Sequence, residues 1–216
     1  MDKTLIDRVP SDTIIVIGRQ FGSGGRRIGK ALAEALGFKY YDKELLSEAA
    51  AELGFSHEIF QKNDEKKPTA LSSLLLGAFG VTEQFGPGTL SGEGIYKEQS
   101  HVIESLAQRH GCVIVGRTAD YIMRGHPHLV SIFLHAPVEY RSRLICDRKD
   151  AGCMEKAAEL ARKRDRERES YYNYFTGRRW GAASNYDLTL DASQMSPEEA
   201  AEVIVTYVAS KLQNKN

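Results

Sequence analysis

The feature that most constrains the fold of this chain is a short apolar segment that runs into a glycine-rich turn and then into an amphipathic helix. Residues 13–17 (TIIVI) are rich in β-branched side chains, which is typical of a strand covered on both faces of a parallel sheet. Apolar residues then recur at offsets of three and four between Ile28 and Leu36, and Gly37 follows as a natural helix stop. This order of strand, turn and helix predicts an α/β fold.

The same alternation returns along the rest of the chain. Residues 38–42 (FKYYD), 112–115 (CVIV), 130–134 (VSIFL) and 187–190 (DLTL) have the length and composition of further strands. Residues 196–199 (SPEE) supply an N-cap, a first-turn proline and a capping-box glutamate ahead of a final helix. The sequence therefore predicts a three-layer fold, in which a parallel sheet carries helices on both faces.

Length and composition limit the possible domain organisation and cellular environment of the chain. A chain of 216 residues is long enough for one sizeable core, so a single domain over residues 1–216 is expected. The 29 basic and 29 acidic residues balance, so global charge gives no argument for nucleic acid or for an anionic membrane. The three cysteines form no CxxC pair, the N-terminus is too polar for a signal peptide, and no apolar stretch is long enough to span a bilayer. These observations predict a cytoplasmic protein without a membrane partner.

Two segments depart from the regular alternation. Residues 62–94 run through KNDEKKP into a glycine-rich stretch, which predicts a flexible insertion with a short helix at residues 71–76. Residues 162–179 contain seven basic and three acidic side chains. Within them Arg162 and Arg166, and likewise Arg164 and Arg168, are four positions apart, which predicts two arginine-bearing faces on one helix.

The glycine-rich turn has the form of an anion site. A strand that runs through glycines into a helix presents backbone N–H groups at the positive end of the helix dipole, where phosphate binds readily. Gly22, Gly24 and Gly25 allow a ligand to approach the backbone closely. The pattern predicts that this turn binds the phosphates of a nucleotide.

The turn lacks the lysine of the standard phosphate-binding motif GxxxxGK[ST]. If Gly24 takes the second motif glycine, Arg19 falls on the first, Gly25 falls on the lysine and Arg26 falls on the hydroxyl residue. We therefore expect Arg19, Arg26 or Arg27 to supply the positive charge, since guanidinium groups pair well with phosphate oxygens. Ser23 is the nearest hydroxyl available to a metal ion.

Two other interpretations of the turn stay open at the level of sequence. The glycines alone are enough to make a tight connection between a strand and a helix. A dinucleotide site is the second alternative, because Asp42 lies 20 residues after Gly22, where such sites place an acid for the ribose. Against that reading, Arg27 stands where the third glycine of GxGxxG is required.

Three stretches of the chain together resemble the cytidylate kinase-like family, a branch of the P-loop nucleoside monophosphate kinases. They are residues 18–46 (GRQFGSGGRRIGKALAEALGFKYYDKELL), 113–122 (VIVGRTADYI) and 185–193 (NYDLTLDAS). The likeness covers most of the chain outside residues 62–94. It implies a P-loop kinase fold with a parallel core sheet, a monophosphate-binding insertion over residues 62–94 and an arginine-rich lid over residues 162–179.

The resemblance also implies roles for acidic and basic residues on the acceptor side. Asp42 matches the acidic position that opens the acceptor nucleotide site, and Arg117 matches the arginine of the GRD motif, with Asp120 close by. Asp187 matches an aspartate that contacts the base. Val115 stands where a magnesium-associated aspartate is often found, so this chain departs from the family there.

On this basis the expected activity is ATP-dependent phosphoryl transfer to a nucleoside monophosphate, with CMP or dCMP as the first candidates and Mg²⁺ as the metal. Arg26, Arg27, Arg164 and Arg168 are the expected catalytic residues, because such transfer depends on alignment and on offsetting charge. Two alternatives are a nucleotide-binding regulatory module without turnover, and an RNA-binding protein that uses the arginines of residues 162–179.

Overall fold

The computed structural model describes residues 3–54 and 92–213. In chain order its helices and strands are α1 (Lys3–Ile6), β1 (Ile14–Arg19), α2 (Gly25–Leu36), β2 (Lys39–Tyr41), α3 (Lys43–Glu52), α4 (Gly92–Ala107), β3 (Cys112–Val115), α5 (Ala119–Ile122), β4 (Leu129–His135), α6 (Val138–Asp147), α7 (Met154–Thr176), β5 (Leu188–Asp191) and α8 (Pro197–Gln213), with short 3₁₀ turns at Ala183–Asn185 and Ala192–Gln194.

The predicted insertion falls largely outside the described residues. Residues 62–91 and the short helix predicted at residues 71–76 belong to that part of the chain. The last residues of the predicted insertion are instead helical, because α4 begins at Gly92.

The strands form one parallel sheet in the order β2-β3-β1-β4-β5. Each lies within one or two residues of a segment predicted from the sequence. The order around β1 differs from the 3-2-1-4 order of dinucleotide-binding folds, so the topology argues against the dinucleotide alternative.

The core lies on both faces of the sheet, which confirms the three-layer prediction. On one face Ile15 and Ile17 of β1 pack in a cluster with the buried sides of α2 and α8. On the other face Ile14 and Val16 pack in a cluster with α3 and α4. Because alternate residues of a strand point to opposite faces, a continuously apolar strand fills both clusters at once.

The helix ends follow the local sequence signals. Gly37 adopts a left-handed conformation after α2 and its N–H donates to the last carbonyl groups of that helix. At the start of α8 the Ser196 N–H donates to Glu199 Oε2 at 2.8 Å, and the Glu199 N–H donates to Ser196 Oγ at 3.2 Å. This reciprocal pair is the predicted capping box.

The sheet brings the candidate site together at one edge. In a parallel sheet the carboxyl ends of the strands meet at the same edge, and here those of β1 and β3 are adjacent. The turn after β1 and the segment Gly116 to Thr118 after β3 therefore become neighbours. No described helix is both long and apolar enough to cross a membrane.

Candidate functional site

A cleft of about 850 Å³ opens along the turn between β1 and α2. Its walls carry eight basic and four acidic side chains, so the local charge is positive although the chain as a whole is balanced. The lining residues are Arg19, Gln20, Phe21, Gly22, Ser23, Gly24, Gly25, Arg26, Arg27, Lys43, Glu44, Arg117, Leu144, Asp147, Arg148, Asp150, Leu160, Arg164, Glu167 and Arg168.

The turn itself is open to an anion. Gly22 and Gly24 have φ angles of 84° and 83°, in the left-handed region that favours glycine. Gly24 is the N-cap of α2 and brings no side chain to cover the first turn. Among residues 3–54 and 92–213, no group accepts a hydrogen bond from the N–H of Gly22, Gly24, Gly25 or Arg26. Unpaired backbone N–H groups at a helix N-terminus form a binding site for phosphate.

Gly22 is also required by its surroundings. A Cβ atom at this position would lie 2.8 Å from the carbonyl oxygen of Arg141 and 2.9 Å from Ile145 Cδ1. The close approach of α6 to the turn therefore leaves no room for a side chain. At Gly24 a Cβ atom would meet nothing within 4 Å.

The structure places Arg26 and Arg27 in the cleft but holds only Arg26 in an ion pair. The Arg26 guanidinium donates to both carboxylate oxygens of Glu44 at 2.8 Å, and its Nε lies 3.8 Å from Asp42 Oδ2. This contact directs Arg26 toward α3. Arg27 is exposed and forms no ion pair within the described part of the chain.

One of the two predicted arginine faces of α7 lines the cleft. Arg164 and Arg168 are on its wall, whereas Arg162 and Arg166 are exposed and are not. Arg168 Nη1 donates to the Arg19 carbonyl at 3.0 Å, and its guanidinium lies 5.4 Å from the centre of the Phe21 ring. The arginine-rich helix therefore contacts the phosphate turn directly.

Arg117 is held in the wall of the cleft by an unusual backbone. Its side chain is almost fully buried, with 2% of the residue exposed. Gly116, Arg117 and Thr118 have φ angles of 84°, 62° and 52°, so three consecutive residues are left-handed. For residues other than glycine this conformation costs about 1–2 kcal/mol each, and such strain persists only where the surroundings impose it. Part of that restraint is a hydrogen bond from Thr118 Oγ1 to the hydroxyl of Tyr96 at 3.2 Å.

Asp120 lies beside the cleft rather than in it. It borders a separate cavity of about 20 Å³, which it shares with Arg117, Tyr172 and Tyr186. The Tyr172 hydroxyl donates to Asp120 Oδ2 at 2.7 Å. Burial raises the pKa of Asp120, although this hydrogen bond opposes the rise. The tyrosines that follow the arginine run therefore pack partly into the body of the protein, where Tyr171 and Tyr172 are buried.

Asp42 and Asp187 have structural partners and do not line the cleft. Asp42 is the N-cap of α3, where its Oδ1 accepts from the Leu45 N–H at 3.3 Å. Its neighbours in the chain, Lys43 and Glu44, line the cleft instead. Sequence reasoning had not assigned either of these neighbours to the site.

Asp187 lies at the start of β5, level with the middle of β4. Its Oδ2 accepts from the N–H of Ser131 at 2.8 Å and from the Ser131 hydroxyl at 3.1 Å. The same oxygen lies 2.5 Å from Lys211 Nζ. These contacts join β4, β5 and α8, and the structure does not bring Asp187 to the cleft predicted to hold the substrate.

The candidate metal position at Ser23 has one oxygen donor in place. Ser23 is 1% exposed, and its hydroxyl donates to the Gln20 carbonyl at 2.9 Å, which leaves its lone pairs for another partner. Within residues 3–54 and 92–213 no cluster of three or more histidine, cysteine or carboxylate residues forms a metal site. Mg²⁺ in phosphate sites often takes only one or two protein ligands and is otherwise held by phosphate and water. The donor set is compatible with such binding, and the Ser23 assignment stays a prediction.

The fold and the turn together define a P-loop kinase type of protein. The chain belongs to the cytidylate kinase-like family, whose model matches residues 14–194. It is 26% identical to a cytidylate kinase of Pyrococcus abyssi over 192 residues, which cover 88% of this chain and 91% of that protein.

Two solved structures are similar to this chain in fold. A crystal structure of an uncharacterized protein from Eubacterium ventriosum is similar with a TM-score of 0.70 and 27% identity, over 92% of this chain and 99% of that one. A shikimate kinase from Acinetobacter baumannii, solved with shikimate, has a TM-score of 0.51 and 16% identity, over 92% of this chain and 93% of that one. At that identity the second likeness supports the fold alone.

Proposed function

We propose that this protein transfers a phosphoryl group from ATP to a nucleoside monophosphate, with CMP or dCMP as the first candidates. The observation that carries the proposal is the set of partnerless N–H groups of Gly22, Gly24, Gly25 and Arg26 on the floor of a positively charged cleft. Family membership supports a nucleotide as the substrate, because the Pyrococcus abyssi relative is named a cytidylate kinase.

The donor triphosphate would lie on the turn between β1 and α2. The unpaired N–H groups there would bind its phosphate oxygens, helped by the positive end of α2. Mg²⁺ bound with the nucleotide would neutralise charge on its phosphates, and Ser23 Oγ is the residue of the turn that would hold it.

The charge of the missing lysine would come from arginines that reach the cleft from elsewhere. Arg164 and Arg168 line the cleft from α7, and Arg27 lines it from α2 without an ion pair to any described residue. In this conformation Arg26 pairs with both carboxylate oxygens of Glu44, and Arg164 pairs with Glu167 Oε2 at 3.0 Å, so each would have to leave its carboxylate in order to bind phosphate. Guanidinium groups fit this task because they pair bidentately with phosphate oxygens and keep their charge at all physiological pH values.

The acceptor would lie between α3 and the end of β3. Lys43 and Arg117 supply two positive charges on this side of the cleft, which suits the dianionic phosphate of a nucleoside monophosphate. Residues 162–179 would act as the lid, since Arg164 and Arg168 face the cleft and Arg168 contacts the phosphate turn. A lid in this place would limit hydrolysis of ATP by excluding water.

The experiment that tests the proposal is a product assay with ATP, Mg²⁺ and a panel of nucleoside monophosphates, followed by chromatography of the nucleotides. We expect a nucleoside diphosphate and ADP to form in equal amounts. Arg27→Ala is expected to lower kcat, whereas the control Arg162→Ala, on the exposed face of α7, is expected to leave it unchanged. Absence of diphosphate with every acceptor would refute the kinase proposal.

The same preparation separates the alternatives. Tight ATP binding without product formation would favour a regulatory module of the same fold. RNA binding whose affinity falls steeply with salt would favour the third alternative, because neutralised phosphates release counterions.

A further inference from the structure

An ion pair between Arg141 of α6 and Asp165 of α7 binds the Phe21 peptide, which leads into the phosphate turn. We call this set of contacts the grip. Asp165 of α7 accepts from the Phe21 N–H through Oδ1 at 2.7 Å. Its second oxygen, Oδ2, accepts from Arg141 Nη1 of α6 at 2.6 Å. The two side chains are 15% and 8% exposed, so the pair is largely removed from water.

Arg141 completes the grip from the other side. Its Nη1 also donates to the Phe21 carbonyl at 3.1 Å, and its Nε donates to the Ala136 carbonyl at 3.0 Å, just after β4. The N–H and the C=O of Phe21 are therefore both fixed by one ion pair that comes from outside the turn. Gly22, the first residue with a free N–H in the turn, is the next residue in the chain.

The placement of Asp165 needs an explanation other than ligand binding. It does not line the cleft, whereas its neighbours Arg164, Glu167 and Arg168 do. A carboxylate so close to a phosphate site also opposes anion binding by charge. A largely buried ion pair is in addition weak as a source of net stability, because desolvation offsets much of the attraction. A positional role accounts for these features together.

We propose that Asp165 is a positioning residue that holds the Phe21 peptide, together with Arg141, and so fixes the phosphate turn in its binding shape before the nucleotide arrives. The inference rests on the proposed function, since it names the residue that organises the same site. The arrangement also ties the arginine-rich helix to the turn, because Asp165 and Arg168 contact it one helical turn apart.

The test is the isosteric variant Asp165→Asn. One amide oxygen cannot accept from both Phe21 and Arg141 in the present geometry, and the amide NH₂ would face the guanidinium. The expected result is a rise in the KM for ATP of about tenfold or more, as for loss of a hydrogen bond to a charged group. The KM for the acceptor is expected to change by less than about twofold, because α3 and Arg117 are not part of the grip.

The matched control is Glu169→Gln, which removes the same charge from the next turn of α7 at an exposed position. It is expected to leave both KM values near those of the wild type. If Asp165→Asn does not fold, Asp165→Glu keeps the charge for Arg141 and moves the carboxylate by one methylene. It is expected to fold and still to raise the KM for ATP selectively. An equal rise in both KM values, or no rise for ATP, in the variant that folds would overturn the proposal.

A second measurement keeps this inference separate from the proposed function. Hydrogen exchange of the Phe21 amide, followed by NMR in the absence of nucleotide, is expected to be at least tenfold faster in the Asp165 variant than in wild type and in Glu169→Gln. If the Phe21 amide exchanges at the wild-type rate in the Asp165 variant, the proposed role of Asp165 is overturned, even if the protein is an active kinase. Accelerated exchange in a protein that neither binds nor turns over ATP would support the grip while the kinase proposal fails.

Discussion

The close approach of α6 to the phosphate turn predicts that Gly22→Ala is far more damaging than an ordinary glycine substitution. The new Cβ atom would lie 2.8 Å from the Arg141 carbonyl oxygen, 2.9 Å from Ile145 Cδ1 and 3.0 Å from Arg141 Cβ. Contacts this short require the helix or the turn to move. Since Arg141 also holds the Phe21 peptide, either movement would disturb the turn itself.

Two costs add at this position. The left-handed φ of 84° costs an alanine about 1 kcal/mol relative to glycine. Overpacking against a backbone carbonyl and a buried isoleucine adds about 1–3 kcal/mol. We therefore expect Gly22→Ala to lower the free energy of unfolding by about 2–4 kcal/mol.

Gly37→Ala separates the two costs. Gly37 is also left-handed, with a φ of 66°, and a Cβ atom there would meet nothing within 4 Å. It ends α2 at the end opposite the phosphate turn. This control should lose only the backbone cost of about 1 kcal/mol and should retain the wild-type KM for ATP.

Urea denaturation and steady-state kinetics of the two variants provide the measurement. We expect a difference in unfolding free energy of about 1–3 kcal/mol between them, with a raised KM for ATP only in Gly22→Ala. Equal destabilisation of the two variants would show that α6 does not pack tightly against the turn at Gly22.

Three further predictions concern charged residues. Arg168→Ala is expected to lower kcat by about 10²–10³-fold, the usual effect of removing one donor to a transition state, while Arg162→Ala leaves kcat unchanged in the same assay. Burial raises the pKa of Asp120 above its ordinary value of 3.8, so the folded state loses stability as pH rises from 3.8 through the folded-state pKa. Asp120→Asn should therefore match the wild type below that window and be more stable above it in urea titrations at several pH values. Asp187→Ala should cost about 2–3 kcal/mol in the same titrations, because Lys211 loses its carboxylate partner, and a raised KM for either nucleotide in this variant would contradict the structural role.

Local sequence signals were enough to predict most of the fold. The strand at Cys112–Val115 was predicted with its observed bounds, and the other strands within one or two residues, because continuous apolar runs in a parallel sheet leave little ambiguity. The capping box before α8 and the stop at Gly37 were also predicted, because serine with glutamate three residues later and a glycine after the last apolar position are specific signals of helix ends. Each of these signals depends on residues close together in the chain.

The candidate site was less predictable because its side chains are oriented by distant partners. Arg26 appeared from the sequence as a substitute for the missing lysine, but the ion pair with Glu44 depends on how α3 approaches α2. Phe21 and Asp165 are 144 positions apart, so no local pattern could connect them. Family resemblance assigned Asp187 to the substrate, whereas the packing of α8 gives it Lys211 as a partner.

The left-handed segment after β3 has a consequence for protein engineering. Selection for heat resistance alone would favour Thr118→Asn or Thr118→Gly, because asparagine and glycine tolerate this backbone better than a β-branched residue. Either replacement would discard the hydroxyl group that meets Tyr96. Thermostable variants of this chain would then position Arg117 less precisely, and we expect them to gain heat resistance at the cost of a lower catalytic rate.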